Sequence, residues 1–208
     1  MARYTGPVCR LCRREGEKLF LKGTKCETGK CAFSKRAYAP GQHGKLRVKL
    51  SNYGMQLREK QKVKRMYGIL ERQFRKYFNI ASKRKGVTGK VLLQLLERRI
   101  DNVIFRLGLA ASRSEGRQLV RHNFIYVNSQ RVNIPSYLID SSDMIQLRTK
   151  EKSLKAIREN LEMTKGREVP AWLEFDPQKL EAKVLRLPEK EDIPHQIQEQ
   201  LIVELYSK

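Results

Sequence analysis

Acidic side chains are scarce over the first half of this 208-residue chain. Residues 1–100 carry 6 Asp or Glu against 27 Lys or Arg, a balance of +21, whereas residues 101–208 carry 16 against 17. The sequence also lacks any apolar run approaching the ~20 residues of a bilayer span. Its opening, MARYTGPVCR, has no apolar core of the signal-peptide kind. Neither export nor membrane insertion is therefore expected. Cysteine is absent after residue 31, and there is no internal repeat or low-complexity tract. A Gly-rich phosphate loop and a nucleophile–base signature are both missing, which argues against an enzyme.

Hydrophobic residues make up 40% of the chain, enough for a packed core and too many for wholesale disorder. The formal net charge is +22. Self-repulsion on that scale opposes compaction unless a polyanion screens it. Concentrated in one half, it reads as a surface built for phosphates.

Residues 1–45 read as irregular, broken by Gly6-Pro7, Gly23, Gly29, Pro40-Gly41 and Gly44. From Ser51 the pattern turns helical, with Met55, Val63, Met66 and Tyr67 as an interrupted apolar stripe among basic residues. A second amphipathic stretch runs through Leu70, Phe74, Tyr77 and Phe78 to the basic loop Lys83-Arg84-Lys85-Gly86. Thr88 is expected to cap one long helix ending near Gly108, with Val91, Leu92, Leu95, Leu96, Val103 and Leu107 inward. Ser112-Arg113-Ser114-Glu115 has the form of a capping box, and Arg113, Arg117 and Arg121 follow at four-residue steps along one helix face. After Asn123 the period changes to two, and residues 124–128 and 131–134 are expected as a hairpin around Ser129-Gln130. Residues 144–147, 172–175, 184–187 and 201–206 read as further strands and 152–163 as a helix.

All four cysteines form two close pairs, Cys9-x2-Cys12 and Cys26-x4-Cys31. Such spacing lets four thiolates converge on one tetrahedral metal. Zinc is the preferred occupant, and an iron–sulfur cluster, which uses the same ligand set, stays open. Disulfides fit less well, since nothing points to an oxidising compartment. Four protein sulfurs leave no position for water, so the expected role is structural: a staple that orders a segment with no core of its own. Arg10, Arg13 and Arg14 flank the first pair and Lys30, Lys35 and Arg36 the second, so the metal would hold a basic knob against RNA.

The run from Leu96 to Gly108, LERRIDNVIFRLG, followed by Ala111-Ser112-Arg113 and by Arg117-Gln118-Leu119-Val120-Arg121-His122, resembles the S-four RNA-binding motif. Arg3-Tyr4, Gly6-Pro7, Pro40-Gly41-Gln42-His43-Gly44, Leu57-Arg58-Glu59-Lys60-Gln61-Lys62, Tyr67-Gly68, Leu185-Arg186-Leu187-Pro188 and the closing run from Glu199 to Ser207, EQLIVELYS, extend the likeness over the whole chain. Together these blocks resemble the bacterial-type S-four family of the small ribosomal subunit. The resemblance implies an RNA-binding structural protein that binds the 5′ domain of 16S ribosomal RNA early in assembly of the 30S body. It further implies contact with the neighbouring protein S-five, a place near the side where mRNA enters, an influence on translational accuracy, and a cytoplasmic location in the ribosome. The implied fold class is α+β. It comprises a basic N-terminal extension (1–45), a mostly helical domain (46–95 plus 161–208) and an inserted α/β S-four domain (96–160); that the extension is metal-stapled rests on the four cysteines of this chain and not on the family, some of whose members lack them. Gly116 stands where the motif usually has Ala or another small residue, and Ser129 where its turn usually has Gly.

Structured RNA is recognised by shape, phosphate and 2′-OH contacts, which favours Arg over Lys for a bidentate grip. In the inserted domain the expected RNA contacts are Arg106, Ser112, Arg113, Arg117, Arg121, His122, Asn128 and Arg131. In the first half they are Arg3, Arg10, Arg13, Lys35, Arg36, His43, Arg47, Arg58, Lys62, Arg65, Arg72, Lys83, Arg84 and Lys85. Glu97 and Asp101 are expected as ion-pair partners. Two rival functions fit less well. An RNA-modifying enzyme would need a further catalytic domain, and a zinc-dependent DNA regulator would need a recognition helix that does not follow the cysteines.

Overall fold

A computed structural model describes residues 3–46, 49–149, 151–164, 166–194 and 196–207. Arg47 lies outside these described residues. The chain divides into two compact units, Met1–Leu92 with His195–Lys208, and Leu93–Pro194.

The first unit opens with the short helix α1 (Cys9–Glu15), a 3-10 turn (Gly23–Cys26) and α2 (Ala32–Lys35). Its body is built from α3 (Asn52–Met66), α4 (Glu71–Lys83), the first half of α5 (Thr88–Glu97) and, from the far end of the chain, α9 (Glu199–Tyr206). Helix α3 starts where the Ser51 hydroxyl accepts the Gly54 N–H at 3.1 Å, satisfying one of the donors every helix start leaves open. Its Val63 and Met66 are fully buried, and α4 turns Phe74, Tyr77, Phe78 and Ala81 inward. Residues 201–206, expected as a strand, are helical. Ile202 and Tyr206 are four residues apart and therefore share a face. Ile202 is buried, and Tyr206 stacks on Phe78 with ring centroids 4.6 Å apart. Gln56 of α3 donates to Glu204 at 2.9 Å. Packing on one side thus overrides the β-like composition of a short apolar run.

The second unit holds the rest of α5, then α6 (Ile100–Arg106), α7 (Arg113–Arg121), α8 (Glu151–Met163) and five strands. These are β1 (Ile125–Val127), β2 (Gln130–Val132), β3 (Met144–Leu147), β4 (Leu173–Asp176) and β5 (Glu181–Val184). They form one antiparallel sheet in the order β2-β1-β3-β5-β4. Its buried face joins Ile125, Ile145 and Val184 to Ile100 and Ile104 of α6, to Leu107 just beyond it and to Trp172, which is fully buried. The α+β expectation is therefore met by helices packed on a small antiparallel sheet. The second compact unit runs on to Pro194, and within it β5 pairs with β3, Ala182 opposite Ile145. An uncovered β3 would leave its backbone groups without partners.

The single helix expected over 88–108 is two helices. Arg99 adopts an extended backbone (φ −65°, ψ 132°) and bridges Leu138, while Ile100 N–H donates to Tyr137 O at 2.9 Å and Ile139 N–H to Arg98 O at 3.0 Å. A strand-like contact with a distant segment wins over helix continuation. The hairpin turns one residue earlier than expected, since Val127 pairs with Gln130 and leaves Asn128-Ser129 as the loop. Both have positive φ (48° and 66°), the signature of a two-residue type I′ turn. Gly116 has a packing reason: a Cβ there would lie 2.7 Å from the Asp101 carbonyl oxygen, so only glycine lets α7 approach α6 this closely.

Candidate nucleic-acid interface

The cysteine pairs come from two elements and the segments beside them. Cys9 and Cys12 lie on α1, Cys26 ends the 3-10 turn, and Cys31 immediately precedes α2. All four are free thiols; Cys12, Cys26 and Cys31 are buried and Cys9 half-buried. Burial pushes the Cys12 thiol up, against the Leu19 N–H, and the other three thiols push it the same way. Cys26 is raised by burial too, although its sulfur accepts the Lys22 N–H at 3.3 Å. At Cys31 burial is outweighed by N–H donors of Ser34 and Phe33, and the thiol is lowered. The four sulfurs sense one another, yet among the described residues no three His, Cys, Asp or Glu side chains stand close enough to hold one ion.

Helix α1 also organises the loop after α2. Arg13 Nε donates to Tyr38 O at 2.9 Å with its guanidinium 4.9 Å from the Tyr38 ring centroid, and Arg14 donates to Pro40 O at 3.2 Å. Arg13 thus anchors the loop that carries His43. Arg3, Arg10, Lys35, Arg36 and His43 themselves are exposed.

The basic residues of α3 and α4 have different surroundings. On α3, Arg58 and Arg65 both face Glu15, whose side chain is 1% exposed. Burial pushes the Glu15 carboxyl up, and the two guanidinium groups oppose it. Lys62 meets Glu59 at 2.9 Å and Glu17 at 3.4 Å. Lys60 and Lys64 converge on Glu71 at 2.9 and 3.0 Å, and the Tyr206 hydroxyl donates to the same carboxylate at 2.7 Å. Burial alone would raise Glu71, but these three donors hold it down to about 2. On α4 the outward residues Arg72, Arg75, Lys76 and Lys83 form no ion pair among the described residues, and Arg84 and Lys85 beyond them are exposed. Arg72, Arg75, Lys76 and Lys83 border an open trough of about 710 Å³ with Leu70, Gln73, Asn79 and Ile80. Arg75 and Lys76 escaped the sequence reading. The signal was available: with Phe74, Tyr77, Phe78 and Ala81 inward, positions 72, 75, 76 and 83 must point away.

In the second unit most of the expected RNA contacts have internal partners. The buried row of α7 is Arg113, Gly116, Arg117 and Val120, which places the first two arginines against α6 rather than in solvent. Arg113 donates to Asn102 at 2.8 Å and lies over the Phe105 ring, and Arg117 faces Asp101 at 3.5 Å. Arg99, fully buried, grips both oxygens of Asp101 at 3.0 and 2.6 Å. Arg106 does the same to Glu97 at 3.0 and 2.7 Å, while Asn102 donates to that carboxylate at 2.8 Å. Glu97 and Asp101 are therefore ion-pair partners, as expected. Ser112 caps α7 by accepting the Glu115 N–H at 3.3 Å, but the Glu115 carboxylate accepts from Ala111 N–H and Asn160, so the capping box is half-formed. Asn128 clips the hairpin to β3, donating to Asp143 at 2.7 Å and accepting the Met144 N–H at 2.9 Å. Arg121 and His122 at the end of α7 and Arg131 on β2 remain exposed.

One unit with a helix pair packed on an antiparallel sheet, and another whose cations outnumber its acids several-fold, define the class of a nucleic-acid-binding protein. The family described as "Ribosomal protein S4/S9 N-terminal domain" matches residues 3–97, and the "S4 domain" matches residues 98–145. The chain is 60% identical over 208 residues, all of both chains, to the small ribosomal subunit protein uS4 of Acetivibrio thermocellus. Proteins of the same name from Thermoanaerobacter sp. and Thermodesulfovibrio yellowstonii are 60% and 58% identical over the same full span. The chain belongs to the uS4 family of small ribosomal subunit proteins.

Proposed function

We infer that this protein is a structural, non-enzymatic constituent of the small ribosomal subunit that binds its ribosomal RNA, and that it works in the cytoplasm as part of the ribosome. The full-length likeness to uS4 proteins carries the reading, and the +21 balance of residues 1–100 supplies its physical basis. Finer roles follow from the same resemblance. The protein binds 16S rRNA as a primary binder, nucleates the 30S body, contacts protein S-five, lies near incoming mRNA and contributes to accuracy. The exposed cations Arg3, Arg10, Lys35, Arg36, Arg72, Lys83, Arg84, Lys85, Arg121 and Arg131 are its RNA-facing groups. Cys9, Cys12, Cys26 and Cys31 hold a structural zinc ion, with an iron–sulfur cluster as the alternative. Their paired spacing and buried sulfurs support this, and binding would draw the thiols closer together than they now stand.

Co-sedimentation tests the reading. The protein should remain with small subunits through a high-salt wash and should prefer folded small-subunit rRNA to duplex DNA. Loss in the wash together with equal binding to both nucleic acids would refute it. Elemental analysis tests the metal: about one zinc per chain is expected, and a metal-free chain whose first 45 residues resist proteolysis would remove the staple.

A further inference from the structure

We propose that Asn160, Thr164 and Arg167 are positioning residues: they set the corner between α6 and α7, and through it the direction in which α7 presents its exposed end to RNA. The proposal rests on the rRNA-binding reading above and adds a brace that lies beyond the matched span 98–145. Residues 107–112 connect the two helices, and three groups around this corner are held from the end of α8. Asn160, in the last turn of α8, donates to the Glu115 carboxylate at 2.7 Å. The Thr164 hydroxyl, just past the helix, lies 3.0 Å from Gly108 O and 2.8 Å from Asn160 O, so its one proton serves both. Arg167, in the turn that follows, donates to Ala111 O from both terminal nitrogens at 3.3 Å.

Steps of four and three residues keep the three donors along one side of the chain. Thr164 is 5% exposed, and a hydroxyl that deep needs a partner. The end of α6 supplies one, because the last carbonyls of a helix have no acceptor role within it. Gly108 has φ 76°, and a Cβ there would lie 2.8 Å from the Thr164 oxygen. Corner and hydroxyl therefore meet only because that position is glycine.

The other side of the corner is clamped through Glu115, one carboxylate oxygen accepting the Ala111 N–H at 2.8 Å while the other accepts from Asn160. Arg167 also lies over Phe105 of α6, its guanidinium 5.0 Å from the ring centroid, and Arg113 of α7 lies 4.5 Å from the same centroid. One ring thus joins both helices to the brace. The seating of α8 does not need these polar groups, since Leu154, Ile157 and Leu161 already pack it on the core. What they fix is the corner. Helix α7 is nine residues long, ~13 Å, and ends at the exposed Arg121 and His122. A small turn at the corner would move that end furthest, and a binding element held in shape beforehand loses less freedom on association.

Hydrogen exchange and affinity, measured on the full-length protein with a 16S rRNA transcript, provide the test. Thr164→Val keeps the side-chain shape and removes the hydroxyl. Backbone amides of residues 108–116 should then exchange about threefold to tenfold faster, the equivalent of one neutral hydrogen bond, while those of β1 and β3 keep their rates. Affinity for the transcript should fall about threefold or more. Thr164→Ser, which keeps the hydroxyl, should stay within about twofold of wild type in both quantities. Arg167→Gln, at a half-buried position, is the second variant should Thr164→Val fail to fold, and the same two changes are expected of it. If the wild-type protein ignores the transcript, the RNA reading falls and the positioning role with it. If it binds, but the variants loosen the corner without weakening binding or loosen β1 and β3 equally, the contacts serve stability alone and the proposal is wrong. Unchanged exchange at 108–116, or a serine variant as weak as the valine one, would overturn the brace itself.

Discussion

The arginines of α6–α7 and the cations of α4 look alike in sequence and do opposite work. Around α6 and α7, Arg99, Arg106, Arg113 and Arg117 lie against Glu97, Asp101 and Asn102 and are largely shielded from water. On α4, Arg72, Arg75, Lys76 and Lys83 line an open trough with no acid in it. A buried cation needs its carboxylate to exist inside the fold at all. An exposed, unmatched cation adds only repulsion until an anion arrives. Counting basic residues therefore overstates a binding surface; the useful count is of those the fold has not already neutralised.

The strongest way to break the comparison is at Asp101. Asp101→Ala removes the carboxylate that faces fully buried Arg99 and should destabilise the second unit by ~3–5 kcal/mol, measured by denaturant unfolding. A loss below 1 kcal/mol would mean the α6–α7 arginines are as solvated as those of α4. Next is Gly116→Ala. Helix propensity alone makes alanine better by ~1 kcal/mol, but the added Cβ would meet Asp101 O at 2.7 Å. The expected result is a net loss of ~1–3 kcal/mol, and a gain would show that α6 and α7 can separate without cost.

The third test sharpens the comparison inside the first unit. Glu71 titrates near 4.5 when unfolded and near 2 when folded, so its contribution is fully present above about pH 4.5 and is lost as pH falls through about 2. Glu71→Gln should flatten that acid limb and cost about 1 kcal/mol at neutral pH, since these side chains are partly in water. An unchanged acid limb would remove Glu71 from the account. The smallest effect is at Ser129, held at φ 66°. Ser129→Gly should stabilise the hairpin by ~0.4–1 kcal/mol, and a loss there would mean the hydroxyl has a role of its own.

Much of this was legible from side-chain pattern. The Ser112 cap, the inward face of α4, the hairpin and the paired cysteines all follow from local spacing. The break at Arg99 did not, because its cause is a bridge to Leu138, nearly forty residues away in sequence and silent in any local window. Residues 201–206 misled for a related reason, since a short apolar run carries no period of its own until α3 and Phe78 supply one side to pack against. Arg113 and Arg117 were correctly placed on one helix face, yet periodicity cannot tell whether a face meets water or Asp101. Gly116, flanked by them on that row, was the clue that the face is internal.

The central claim is that the excess charge of residues 1–100 is there to neutralise RNA phosphate. A salt titration of the full-length protein's affinity for 16S rRNA tests it most directly. The account predicts a straight log–log fall, with a slope of about −0.7 to −0.9 for each phosphate neutralised and several phosphates in all. An affinity that stays constant from low to physiological salt would contradict it.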